Sequence, residues 1–405
     1  MHDVLKLLLV SSTFLMASVG NTTATEPIKD DDPGKRNNAY IDDTRDDYMS
    51  GWKAMLTNTM PDKLLISGRW FDPAPVPRPF ATADEMTPFS DDIRARLRDN
   101  STDGSLVIKD GRIVQKYLRY GFDIDDVHLI HSTGKAFTSS ALQPIYDEIG
   151  SEGLNLRLDE YLPKLKGKFL GSSTLAQALD MKSGMEWSEN YDDPTSATML
   201  SGPVGGWDPI DPEKGPESWY ERMFDFPKYG EHGQTWVYSS GPVIASGFAA
   251  EAISGLPGGV LIQRSYDKLG FEDPSYFVSN AFGELSYEGG QALTIRDHAK
   301  LGRFMLETKG SAYVDDVWNV VADPDDPADA KFLSKYGDLG VTGYKNYWYK
   351  MGPDVVIALG SSGQILYVDR SKDLIINKMS SFVQGQGAEE FAEAISIIRA
   401  IAGQY

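Results

Sequence analysis

The run Val127-His-Leu-Ile-His-Ser-Thr-Gly-Lys-Ala-Phe-Thr-Ser-Ser-Ala-Leu142 passes from extended chain to helix within a few residues. Val127 to Ile130 is a short apolar strand pattern ending at His131, and Ala136 to Ile149 carries a helical one. Ser132 then stands at a helix start. The unpaired amides and the positive end of the helix dipole there favour negative charge on its oxygen. Residues three apart share a helix face, so Lys135 can point back at Ser132. A lysine pressed into a cleft is costly to keep charged; its pKa falls and it can accept the serine proton. Ser132-x-x-Lys135 is therefore a candidate activated nucleophile.

The spacing alone is common: Ser50-x-x-Lys53 and Ser265-x-x-Lys268 share it, and the plain reading of any single match is a solvated helix start. Ser132 differs in context, since strand, turn, nucleophile and apolar helix follow one another. Ser50 lies in a polar lead-in, and Ser265 in a helical surface stretch ending at Gly270.

On the N-terminal side of this run, Ser105 to Lys109 and Arg112 to Leu118 flank Asp110-Gly111, a strong hairpin signal. Ser67 to Pro88 is rich in proline and aromatics and is expected to lie extended on a surface, outside any sheet. On the other side, Thr174 to Met181 is a short helix, and Glu186 to Glu217 is a long loop of the kind that often binds ligands. Pro242 to Ile253 is an apolar helix. Thr294 caps another, with Asp297 at its third position, running to Glu307. Asp354–Gly360, Gly363–Asp369 and Leu374–Ser380 are consecutive strands with short connections, hence antiparallel. Glu389 to Ala402 is a final amphipathic helix. The fold class is α/β (α+β): an antiparallel sheet built from both chain ends, flanked by helices, with a mainly helical insertion lobe. The expected divisions are a signal peptide over 1–24, an N-terminal arm and extended segment over 25–100, a sheet lobe from 101–150 and 285–405, and a helical lobe over 151–284. Ser132 falls near the lobe boundary, where a cleft is expected.

The net charge of −20 argues against nucleic acid and anionic membrane surfaces as partners. With no cysteine there is no disulfide, thiolate nucleophile or lipidated cysteine anchor. Among the five histidines, strand alternation sets His128 and His131 on opposite faces, so no metal site is expected. The apolar run Leu7 to Val19, followed by Thr22-Thr-Ala24, reads as a removable export signal too short to span a bilayer, implying a periplasmic or secreted protein.

A serine–lysine pair needs a proton relay. Tyr238, in Gly233-Gln-Thr-Trp-Val-Tyr-Ser-Ser-Gly-Pro242, lies just before an apolar helix, and a phenol beside an ammonium can lose its proton more easily. On the residues alone an ordinary tyrosine, one of twenty, is the simpler reading.

Ser132-Thr-Gly-Lys135, Tyr238-Ser-Ser240 and Ala358-Leu-Gly-Ser361 resemble, in order, the three conserved elements of the serine β-lactamase and penicillin-binding-protein superfamily. Leu158-Asp-Glu-Tyr-Leu-Pro163, Leu179-Asp-Met-Lys-Ser-Gly184 and Gly289 to Gly302 are similar too. Glu189-Asn-Tyr-Asp-Asp-Pro194, Tyr344-Lys-Asn-Tyr-Trp-Tyr349 and Gly360-Ser-Ser-Gly-Gln364 resemble the branch of 6-aminohexanoate-dimer hydrolases and family VIII carboxylesterases. The resemblance implies Ser132 as acylated nucleophile, Lys135 as its proton acceptor and Tyr238 as relay. It implies an oxyanion hole from the amides of Ser132 and Ser361, and a substrate pocket touched by Ser240, Tyr191, Trp348 and Gly360. Ser240 stands where many relatives have asparagine. Ala358 stands where a cation that binds a substrate carboxylate is usual, which disfavours β-lactams and peptidoglycan. The function implied is a serine hydrolase of small-molecule esters or amides, acting through an acyl-enzyme with no cofactor and no metal. The alternatives are a β-lactamase or D-amino-acid peptidase of the same fold, and a non-catalytic acyl-binding sensor. The absence of a Gly-x-Ser-x-Gly elbow argues against a histidine-based triad.

Overall fold

The computed structural model describes residues 51–64, 67–191, 193–208, 213, 215–222, 224–382 and 387–405. The expected export segment, the polar arm up to residue 47 and Ser50 lie outside them. The first described element is a helix, Gly51–Thr59 (α1). The proline- and aromatic-rich stretch, expected to avoid sheets, supplies two strands: Gly68–Phe71 (β1) and Ala81–Thr82 (β2). β1 precedes the first proline of the stretch and β2 lies between Pro79 and Pro88, so the prolines bound the strands without excluding them.

The hairpin forms as expected. Thr102–Lys109 (β3) and Arg112–Leu118 (β4) pair antiparallel with Lys109 opposite Arg112. Asp110 and Gly111 both take positive φ, 51° and 72°, the combination whose twist suits adjacent strands. Val127–Leu129 (β5), Ser275–Val278 (β6) and Gln291–Thr294 (β7) belong to a separate antiparallel sheet with order β1-β6-β7-β5. Late in the chain come Gly343–Lys345 (β8), Trp348–Lys350 (β9), Val355–Gly360 (β10), Gln364–Asp369 (β11) and Leu374–Ser380 (β12). These join the hairpin in a sheet of order β2-β4-β3-β12-β11-β10-β9-β8, in which β2 alone pairs in parallel. β12 lies antiparallel to β3, with Ile376 opposite Val107, so early and late segments share one sheet. The second sheet was not legible, because β5 to β7 are three or four residues long.

Every residue of β11 and β12 is buried, so this part of the sheet is covered on both faces. The helix expected over Ala136 to Ile149 is two helices, Thr133–Ala141 (α2) and Gln143–Leu154 (α3), because Pro144 begins a new one. The long loop contains a further helix, Ala197–Gly205 (α4), capped by Ser196 and stopped by Gly206 at φ 86°. Its Gly202-Pro203 and Gly205-Gly206 read as breakers, which hid it. Gly241–Ser254 (α5) ends at Gly255 and Ile295–Glu307 (α6) is capped by Thr294, both as expected. α6 packs on the large sheet, close enough that a Cβ on Gly302 would sit 2.8 Å from Ile375 Cγ2. Ala388–Ala402 (α7) closes the chain.

Candidate active site

β5 delivers the chain to Ile130, His131 turns it with φ 46°, and α2 begins at Thr133. Thr133 Oγ1 donates to the Ile130 carbonyl at 2.7 Å, tightening that turn. Ser132 occupies the cap position of α2 but its side chain caps nothing. Its Oγ instead accepts from Lys135 Nζ at 3.0 Å, and the same Nζ donates to the Glu288 carbonyl at 3.0 Å. Lys135 is buried; desolvation pulls its pKa below the ordinary lysine range, against the opposing pull of Glu189 and Glu288. Ser265 and Lys268 show what a chance match does: Ser265 bonds the Ala141 and Leu261 carbonyls, and Lys268 bonds Gln143.

The ring of Tyr238 lies under Lys135, with Nζ 5.0 Å from its centroid. Its phenol also interacts with the Ser132 side chain, so hydroxyl, amine and phenol converge. The expected sign of its pKa is wrong, however. Burial first, then the charges of Glu189 and Tyr336, push the phenol well above its ordinary value, and the Ser132 interaction only partly offsets this. Tyr238 is held as a neutral phenol, a proton donor rather than a phenolate base.

β10 brings Ser361 to the other side of Ser132. A Cβ on Gly360 would lie 3.1 Å from the Ser132 amide nitrogen and 2.7 Å from the Ile130 carbonyl, so only glycine permits this approach. Ser361 lines a cleft with Ser132, Lys135, Tyr191 and Ser240. Ser240 Oγ donates to Glu189 Oε1 at 2.8 Å, so it orients a carboxylate. Tyr191 interacts with Thr198 and Ser361, and burial raises its pKa. Trp348 corrects an expectation: it is fully buried, donates to Ser140 Oγ at 3.2 Å, and does not reach the cleft. Alternation turns it toward the core from β9. Gly360 likewise stands behind the cleft, against the backbone of Ser132, and does not line it.

Several wall residues had no assigned role in the sequence. Glu189 stood within a quoted motif, whereas Trp207, Asp208 and Glu288 carried no signal. Trp207 Nε1 donates to Glu288 Oε1 at 3.0 Å, while Glu288 Oε2 is buried without a hydrogen-bond partner. Burial raises Glu288 to about 7 and Asp208 to about 6. His131, beside the nucleophile, also lines the cleft. Among the described residues no group of three His, Asp or Glu side chains is arranged to hold a metal ion.

A mixed sheet-and-helix body with this cleft defines a hydrolase of the β-lactamase type. Residues 93–395 match the family described as Beta-lactamase, and the chain belongs to that family. A 6-aminohexanoate-dimer hydrolase from Paenarthrobacter ureafaciens is 28% identical over 327 residues, covering 77% of this chain and 80% of the relative. A solved structure from Bacillus anthracis, provisionally assigned as a 6-aminohexanoate-dimer hydrolase, superposes with a TM-score of 0.72 at 19% identity, covering 88% of this chain and 96% of that one. The octameric penicillin-binding protein homologue from Pyrococcus abyssi superposes with a TM-score of 0.55 at 16% identity, covering 76% of each chain. Both structures share the fold.

Proposed function

We propose that the protein cleaves an ester or linear amide of a small molecule through an acyl-enzyme on Ser132. The observation that carries this reading is Lys135 Nζ, buried and 3.0 Å from Ser132 Oγ. In the neutral state Lys135 takes the Ser132 proton as Oγ attacks the substrate carbonyl carbon. The amides of Ser132 and Ser361 receive the oxyanion; such a donor is worth about 3 kcal/mol of barrier. Tyr238 passes its proton to the leaving oxygen or nitrogen and regains one from the Lys135 ammonium, while the carbonyl–heteroatom bond breaks. A water then loses its proton to Lys135 and attacks the acyl carbon; the bond from Ser132 Oγ to the acyl carbon breaks and Oγ takes that proton back.

The hydrolysis named for the Paenarthrobacter relative supports the amide-cleaving arm. The wall argues against β-lactams and D-amino-acid peptides. Ala358 is buried and uncharged, and Glu189, Asp208 and Glu288 face the cleft, so a substrate carboxylate meets repulsion. Turnover of p-nitrophenyl esters, linear amides and nitrocefin, together with mass spectrometry after a fluorophosphonate pulse, tests the reading. Ester or amide turnover with an adduct on Ser132 is expected. No turnover and no adduct would leave a non-catalytic scaffold. Export belongs to the same proposal, resting on the apolar run 7–19, and cell fractionation decides it.

Tyr238→Phe is expected to lower turnover by about 10²-fold or more, the range for a positioned proton donor, with little change in thermal midpoint. Equal activity would reassign the relay. The Glu288 charge raises the Lys135 pKa, so Glu288→Gln removes part of that pull. Lys135 then sheds its proton at lower pH, and the acid limb of the kcat/KM profile moves down. A limb moving up would contradict the assignment of Lys135 as base.

A further inference from the structure

The family match begins at residue 93, yet α1, more than thirty positions earlier in the chain, reaches the reacting centre. Asn58, near its end, is buried. Its Nδ2 donates to Ser381 Oγ at 3.0 Å and to the Ser380 carbonyl at 3.4 Å. With the amino group so committed, Oδ1 faces His131 Nε2 at 2.7 Å, which makes Nε2 the protonated ring nitrogen. His131 immediately precedes Ser132, lines the cleft and stacks on Trp207 at 6.4 Å. Its left-handed backbone costs about 1–2 kcal/mol, so the turn has to be held by its surroundings.

The same anchor serves the opposite wall. Gln364 Nε2 donates to the Ser380 carbonyl at 2.6 Å and to the Ser361 carbonyl at 3.3 Å. The end of β12 is thus a common tie for the residue before the nucleophile, through Asn58, and for Ser361, through Gln364. Ser381 Oγ continues the chain to Asp103 Oδ2 at 2.5 Å, and Asp103 in turn meets His128.

Resting on Ser132 as nucleophile, we propose that Asn58 is a positioning residue for the hydrolytic centre, and that α1 is therefore part of the active site although it lies outside the family's matched segment. Asn58 holds the His131 turn that aims both the amide and the hydroxyl of Ser132. It also keeps His131 neutral, because an amide offers no charge to stabilise an imidazolium. Burial, His128 and Lys135 already hold that ring down to about 3. An imidazolium here would crowd Lys135 with a second cation. The titratable groups around the ring are Lys135 from α2, His128 from the preceding strand β5, and Glu189, Asp208 and Glu288 along the cleft.

The test compares Asn58→Ala, Asn58→Asp and Thr59→Ala in the full chain, using a p-nitrophenyl ester that the wild type turns over. Thr59 Oγ1 donates to the Met55 carbonyl within α1, so Thr59 reports on the helix without the site. Asn58→Ala is expected to lower kcat about 10- to 100-fold with a smaller change in KM, the size of a misplaced catalytic group. Thr59→Ala is expected to keep the wild-type kcat. Asn58→Asp sets a carboxylate against His131, so its kcat/KM profile should gain an acid-side ionisation that the wild type lacks. Wild-type kcat in Asn58→Ala, or equal losses in Asn58→Ala and Thr59→Ala, overturns the proposal. If Asn58→Ala does not fold, the Asn58→Asp profile decides, and an unchanged profile overturns it. Failure of both variants to fold also counts against it, since it would make Asn58 a support of the fold. An inactive wild type would retire the hydrolase reading itself; an active one indifferent to Asn58 retires only this inference.

Discussion

Ser132→Ala is expected to abolish ester and amide turnover by on the order of 10⁶-fold while the protein stays folded, the loss seen when a serine hydrolase loses its nucleophile. The fold should barely register the change. Ser132 Oγ caps no helix; it meets the Lys135 amine and the Tyr238 phenol. Removing it takes away these polar contacts at a half-buried position, a matter of about 1 kcal/mol each. Initial rates with a p-nitrophenyl ester and a thermal melt on the same preparation separate the two effects. Wild-type rates in this variant would end the assignment of Ser132.

Lys135→Met is expected to cost nearly as much activity, because groups that act as a unit with the nucleophile are not additive with it. The stability should move the other way or not at all. Lys135 is buried, and desolvation dominates its pKa, so its charge is unfavourable in the folded state. Methionine fills a similar space without that cost. Its loss has a second readout: the Lys135 charge holds Glu288 below where burial alone would put it. Glu288 should therefore rise above about 7 in the variant, and a carboxyl infrared titration reads this directly. A lysine variant with unimpaired turnover, or a Glu288 that titrates lower, would show that the amine does not serve this cleft.

Five strands of the large sheet were legible because they run six residues or longer and are joined in part by short turns, of which Asp110-Gly111 is the clearest; β2, β8 and β9, two or three residues each, were not. The small sheet was not: Val127 to Ile130 read as a strand, but β6 and β7 are four residues each, too few for a period. The serine, lysine and phenol could be named from order and resemblance, and the chain folds them together. Trp348 could not be placed that way, because one step along a short strand decides between core and cleft. Asp208 and Glu288 were silent because their significance is burial, which no local pattern encodes. The sign of the Tyr238 shift was missed for the same reason: it is set first by burial, which the sequence does not display.

The parallel pairing of Ala81 and Thr82 with Arg112 and Ile113 has a consequence for how the molecule behaves in a crowd. Ala83 and Thr87 continue it, donating to the Ile113 and Val114 carbonyls at 3.0 Å each. Without them, β4 would offer a bare row of backbone groups to the next molecule, the usual seed of edge-to-edge aggregation. Resistance to aggregation thus rests partly on a few residues that precede the family's matched segment.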